Sequence, residues 1–127
     1  QAAIERSKAY VQAGAEAIFP EALETEQEYE LFRKAIDVPL LANMTEFGKT
    51  PLYSKEKLEG LGYNIAIYPV SSLRIAMGAI ENAYASLKKE GSLESKLNQM
   101  QTRKRLYEVI KYDEYNKFDK KIHNFKL

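Results

Sequence analysis

The chain has 127 residues, of which 45% are hydrophobic and 29% charged, with a formal net charge of +1. That length supports one domain with a real core. The near-zero charge creates no field that would favour nucleic acid or anionic lipid, and no stretch approaches the ~20 apolar residues of a membrane span. Without cysteine there is no disulfide framework, thiolate nucleophile or cysteine-ligated metal, a composition compatible with the cytoplasm.

The first element is a helix in which Ile4, Ser7, Val11 and Ala15 fall at helical spacing and Gly14 supplies a C-cap. The sequence starts inside that pattern with no strand ahead of it, which points to a piece of something longer. A short strand is expected at 15–20, ending at Glu21. Thr25-x-x-Glu28 is a capping box opening a helix with Tyr29, Phe32, Ala35 and Ile36 on its apolar face. Residues 39–44 form an apolar run bounded by turn formers, the pattern of a strand buried on both faces. Ser54 caps a short helix carrying Leu58 and Leu61, which Gly62 ends. A third strand follows at 64–68 and closes at Pro69.

Strand and helix thus alternate with no hairpin signal, which predicts βα units and parallel strands. The polar strand ends Glu21, Asn43 and Pro69 recur at intervals of about two dozen residues, the unit length of an eight-fold β/α barrel. From Ser71 the pattern becomes all helix. Leu73, Met77, Ile80, Tyr84 and Leu87 make one long apolar stripe, stopped by Gly91. Ser92 caps a further helix with Leu93, Leu97 and Met100; its phase shifts near Thr102 before Leu106, Val109 and Ile110. Tyr115, Phe118, Ile122 and Phe125 repeat the helical spacing at the end. The chain therefore divides into a β/α part, 1–70, and a helical part, 71–127. The helical part carries more apolar surface than three short strands can cover.

Parallel strands deliver polar groups at their carboxyl ends, where α/β enzymes bind ligands. Glu21, Asn43 and Thr45 stand there, each equally readable as an ordinary solvated loop residue. Arg74 lies in the first turn of the long helix, where the helix dipole disfavours a cation unless a carboxylate or phosphate also arrives; its alternative is a surface arginine. Arg103 belongs to the triplet Arg103-Lys104-Arg105, by itself the pattern of a solvated helix face. His123, the single histidine, reads as a surface residue. No P-loop, dinucleotide-binding turn, histidine cluster or nucleophile elbow is present. Carboxylate, amide, hydroxyl and arginine without an accompanying base suit the holding of a multiply charged ligand.

Four stretches closely resemble the 2-methylisocitrate lyase family of the isocitrate lyase and phosphoenolpyruvate mutase superfamily: Ile18–Ala22, Ala42–Pro51, Tyr68–Arg74 and Met100–Arg103. The resemblance runs in register to about residue 115. It implies the C-terminal part of a (β/α)8 barrel, from the fifth helix through the eighth strand, with about three parallel strands here. Extended C-terminal helices would follow, one of them exchanged between subunits of a homodimer or tetramer. It implies cleavage of 2-methylisocitrate to pyruvate and succinate in propionate breakdown, with Mg²⁺, in the cytoplasm and with no nucleic acid or membrane partner. By motif match Glu21, Asn43, Met44, Thr45, Arg74 and Arg103 are the substrate-binding residues for a small tricarboxylate. The family's Mg²⁺-binding aspartates and cysteine loop belong to its N-terminal half, so no catalytic or metal residue is expected here and the chain alone should be inactive. A phosphonopyruvate or carboxyphosphonate phosphorylmutase of the same superfamily is the alternative reaction. A non-catalytic helical assembly module is the alternative of a different class, against which the polar strand-end set argues.

Overall fold

The computed structural model describes Gln1–His123. The chain divides into two compact units, Gln1–Ala79 and Ile80–Leu127, taken separately below. The division falls inside the long helix rather than at its start, where the composition changes.

In the first unit, α1 (Ala2–Gln12) turns Ile4, Ser7 and Val11 towards the core, and Gly14 follows it at a positive φ. The expected strand 15–20 is a correction: it contracts to one parallel bridge between Ile18 and Leu40. Ile18 N donates to Pro39 O at 2.9 Å and Leu41 N to Ile18 O at 3.0 Å. Pro20 has no N–H with which to continue the ladder, so the strand stops. In α2 (Glu26–Ala35), Thr25 and Glu28 form the capping box and Tyr29 and Phe32 are buried.

Strand β1 (Leu41–Asn43) pairs in parallel with β2 (Ile65–Ile67), Leu41 opposite Ile65 and Asn43 opposite Ile67. Between them α3 (Lys55–Gly60) starts at Ser54, whose hydroxyl accepts from Lys57 N, and buries Leu58. Residues alternate across a strand. Leu40, Ala42 and Met44 therefore enter the core with Ile18, Tyr29, Phe32, Ile36, Leu58, Leu61 and Tyr63. Within the first unit the opposite face is left open: Leu41 is half-buried and Ile65 is 45% exposed. The expectation of burial on both faces thus holds for one face, because the helices lie on only that side.

At the amino end of the strands Arg33 joins the segments. Its guanidinium donates to Val38 O at 3.2 Å, to Gly62 O at 3.3 Å and to Ile36 O. Gly62 has φ +78°, and a Cβ there would stand 2.7 Å from Arg33 Cδ. Only glycine suits both constraints.

The helix α4 (Ser71–Glu90) begins in the first unit, continues into the second and has no buried residue. In the second unit the expected helix 93–100 is a 3-10 helix, Glu94–Gln99. The phase shift near Thr102 is a break, with Thr102 capping α5 (Arg103–Val109) through a bond from Arg105 N at 3.2 Å. Lys111 at φ 53° separates α5 from α6 (Tyr112–His123), and Tyr107 stacks on Tyr112 at 4.3 Å. From Ser71 to His123 every described element is helical; Phe125 lies outside the described residues. No helix among the described residues is long and apolar enough to cross a membrane.

Gly62→Ala should destabilise the first unit by about 1–3 kcal/mol, combining left-handed backbone strain with displacement of a tethered Arg33. Urea denaturation followed by circular dichroism checks this. A midpoint unchanged from wild type would show that the Arg33 clasp yields freely.

Candidate functional site

The carboxyl ends of the parallel strands open onto a cleft of about 170 Å³ lined by Glu21, Ala22, Asn43, Thr45, Gly48, Lys49 and Thr50. The alternation that sends Ala42 and Met44 to the core sends Asn43 and Thr45 to the opposite side, which is why two adjacent apolar residues do not exclude a polar wall. Thr45 Oγ1 donates to Asn43 Oδ1 at 2.8 Å. That bond fixes the amide and leaves its NH₂ group to donate into the cleft. Thr50 Oγ1 donates to Leu23 O at 2.7 Å and ties the loop after β1 to the loop holding Glu21. Lys49 pairs with Glu24 at 3.6 Å, but both are well exposed and the pair contributes little.

Non-glycine residues at positive φ mark this end. Ala22 has φ 54° in the loop after the Ile18 bridge, and Phe47 has φ 61° in the loop after β1. A bulky aromatic in the left-handed region is unusual and costs on the order of 1–3 kcal/mol, so the surrounding structure must impose it. The Phe47 ring, itself exposed, lies under the Arg74 guanidinium at 5.3 Å.

Arg74 occupies the first turn of α4, and the anion that its position calls for comes from the chain itself. Its Nη1 donates to the Glu46 backbone carbonyl and lies 3.4 Å from Glu46 Oε2, while Ser71 Oγ donates to Glu46 Oε1. The Ser71 hydrogen bond, with smaller help from the Glu46 backbone N–H and from Arg74, holds the Glu46 carboxyl below its ordinary range. Glu46 and Ser71 escaped the sequence reading as site residues. A carboxylate directly after a strand-end Thr, with a hydroxyl at the next helix start, is the signal that was available.

Of the six residues singled out by the sequence, Glu21, Asn43 and Thr45 share the cleft and Arg74 stands at the same end of the strands. Met44 lies apart from them. Its side chain is fully buried in the core, and its backbone N–H is taken by Ile67 O at 2.9 Å, so its side chain has no free surface to offer a ligand. Arg103 lies in the second unit, exposed at the start of α5. Among the described residues no group of three or more His, Cys, Asp or Glu could hold a metal ion. In the cleft Glu21 is the single carboxylate, set among an amide, hydroxyls and the Lys49 ammonium, so a divalent cation would meet one anionic side chain beside a like charge.

A parallel β/α unit with a polar cleft at its strand ends is the arrangement of ligand-binding α/β enzymes. The residue pattern of the phosphoenolpyruvate phosphomutase family matches residues 1–88, and the chain belongs to that family. Within it the chain is 56% identical over 126 residues to the protein called probable 2-methylisocitrate lyase 1 in Corynebacterium glutamicum, covering 98% of this chain and 41% of that one. It is 54% identical over 121 residues to the 2-methylisocitrate lyase of Bacillus subtilis, covering 95% and 40%. The fold matches 2,3-dimethylmalate lyase, of the phosphoenolpyruvate mutase/isocitrate lyase superfamily, with a TM-score of 0.80 at 30% identity, over 94% of this chain and 42% of that one. It also matches phosphonopyruvate hydrolase in complex with oxalate and Mg²⁺, with a TM-score of 0.73 at 25% identity, over 89% and 40%. The chain thus spans about two fifths of the proteins it matches.

Because the Glu46 carboxyl is held low, it contributes stability that is complete above its unfolded value of about 4.3 and is lost as pH falls through the lower folded value. The stability difference between wild type and Glu46→Gln should therefore be constant above about pH 5 and shrink below about pH 4. Chemical denaturation across that range measures it; a difference independent of pH would show that the contacts of the Glu46 carboxylate with Ser71 and Arg74 add no stability.

Proposed function

We propose that this chain forms the substrate-holding C-terminal part of a carbon–carbon lyase that cleaves 2-methylisocitrate to pyruvate and succinate. The observation that carries the reading is the 56% identity to a 2-methylisocitrate lyase across nearly the whole chain, coinciding with a polar cleft at the strand ends. In the finer architecture the strands are the last part of a (β/α)8 barrel. Their uncovered face is its interior, and Mg²⁺ is held by residues outside this chain, where it would supply stabilisation of developing negative charge.

The reaction is a retro-aldol step. The substrate hydroxyl loses its proton, the alkoxide collapses to the carbonyl of pyruvate, and the electron pair of the broken C–C bond passes to the succinate half, which then takes a proton. This chain's residues bind and orient. Arg74 pairs with one substrate carboxylate. The Asn43 amide, fixed by Thr45, donates a hydrogen bond, and Glu21 forms the facing wall. Positioning of this kind contributes to catalysis only when the geometry is held tightly. The mutase alternative draws on the family's name, but the closer relatives are lyases.

The chain alone should give no pyruvate from 2-methylisocitrate, with or without Mg²⁺. Fused in place of the matching segment of the Bacillus subtilis lyase, it should restore cleavage in a pyruvate-coupled assay. In that fusion Arg74→Ala should reduce kcat/KM by an amount worth roughly 2–4 kcal/mol. A well-folded fusion without activity, or one indifferent to Arg74→Ala, would overturn the assignment.

We further propose that α4 is covered by a second copy through helix exchange. On α4, Leu73 is 60% exposed and Tyr84 67%, with Met77, Ile80 and Leu87 also exposed. Burying each such side chain is worth about 1.5–3 kcal/mol, a strong drive to associate. Light scattering at tens of micromolar should give a dimer or larger; a monodisperse monomer defeats the proposal.

A further inference from the structure

The Arg74 guanidinium carries five N–H donors, and the structure commits only one edge of it. Nη1 serves the Glu46 carbonyl and carboxylate, the Phe47 ring lies against it at 5.3 Å, and Ser71 holds the far carboxylate oxygen. Among the described residues the Nε and Nη2 edge has no hydrogen-bond partner, and it is shaped for a bidentate oxyanion. The site therefore offers a directed guanidinium edge whose charge is already neutralised by a fixed carboxylate.

Resting on the reading of Arg74 as a substrate contact, we propose that Glu46 is a specificity-determining residue. It lowers the preference of the Arg74 edge for a dianionic phosphonate or phosphate over a carboxylate. The reason is charge. A carboxylate bound beside the Arg74–Glu46 pair brings one negative charge, and a phosphonate dianion brings two. Every interaction with Glu46 is therefore about twice as repulsive for the phosphonate. At a separation of about 5 Å and an effective dielectric of about 50–70, between the protein-surface and bulk-water limits, one extra unit charge amounts to roughly a five- to tenfold difference in affinity. The strained Phe47 backbone serves the same end, because it keeps Glu46 beside the guanidinium. The device uses repulsion to set preference, as specificity requires.

The test compares acetate with methylphosphonate, which each carry one acidic group, binding to the 127-residue chain at pH 8.5, where the phosphonate is a dianion. Binding is read from the Arg74 Cζ resonance, which does not depend on a slowly exchanging proton. Loss of orientation in a variant weakens both ligands alike and cancels in the ratio of their dissociation constants; loss of charge does not. Glu46→Gln should shift the wild-type ratio five- to tenfold towards the phosphonate, and Glu46→Asp, which keeps the charge, should leave it nearly unchanged. A ratio unchanged in Glu46→Gln overturns the role of Glu46 and leaves the lyase reading standing. If neither ligand moves Arg74 in wild type, its part as a substrate contact fails and this inference fails with it.

Discussion

The arrangement rests on the two-residue alternation of the segment from Leu40 to Thr45 within a parallel ladder. Its hydrogen bonds run to Ile18 on one side and to Ile65–Ile67 on the other. This locks the phase in which Leu40, Ala42 and Met44 enter the core. A slip of one residue would bury Asn43 and Thr45 and expose Met44, exchanging a packed core for unpaired polar groups. The helices α2 and α3 cover one face, and Asn43 and Thr45 occupy the other because the alternation leaves them no alternative.

Around that ladder the two ends of the strands serve different purposes. At the amino end Arg33 satisfies three carbonyl groups from adjoining segments, and Gly62 takes the one conformation that leaves it room. At the carboxyl end Ala22 and Phe47 are held at positive φ, and the cleft is lined by groups that still have donors or acceptors to spare. Strain of this sort persists where a backbone must present something. In a stable β/α unit it belongs at the ligand end.

The uncovered surfaces fit the same picture. Phe19 and Ile65 on the sheet, and Leu73, Met77 and Tyr84 on α4, are all well exposed. An interior strand and an amphipathic helix without cover make poor sense as final surfaces, because apolar area of this extent drives burial. A barrel interior and a second copy are the two covers proposed above, and both agree with a chain that spans about two fifths of the proteins it matches.

From the residues alone, the order of strand and helix, the capping box at Thr25, the cap at Ser54, the parallel direction of the strands and the four motifs of the family were all legible. These depend on local spacing and on side chains that act within a few residues of themselves. The polar groups Glu21, Asn43 and Thr45 were legible for the same reason, since each follows an apolar run. Tertiary structure alone decided the rest. It shortened the strand at 15–20 to one bridge, because a strand exists only where a partner pairs with it. It sent the Met44 side chain into the core, because packing against α2 and α3, not the motif around it, sets where that side chain goes. And it gave Arg74 its counter-ion, since a contact between residues 46 and 74 is written in no local pattern and forms only when the loop after β1 meets the start of α4.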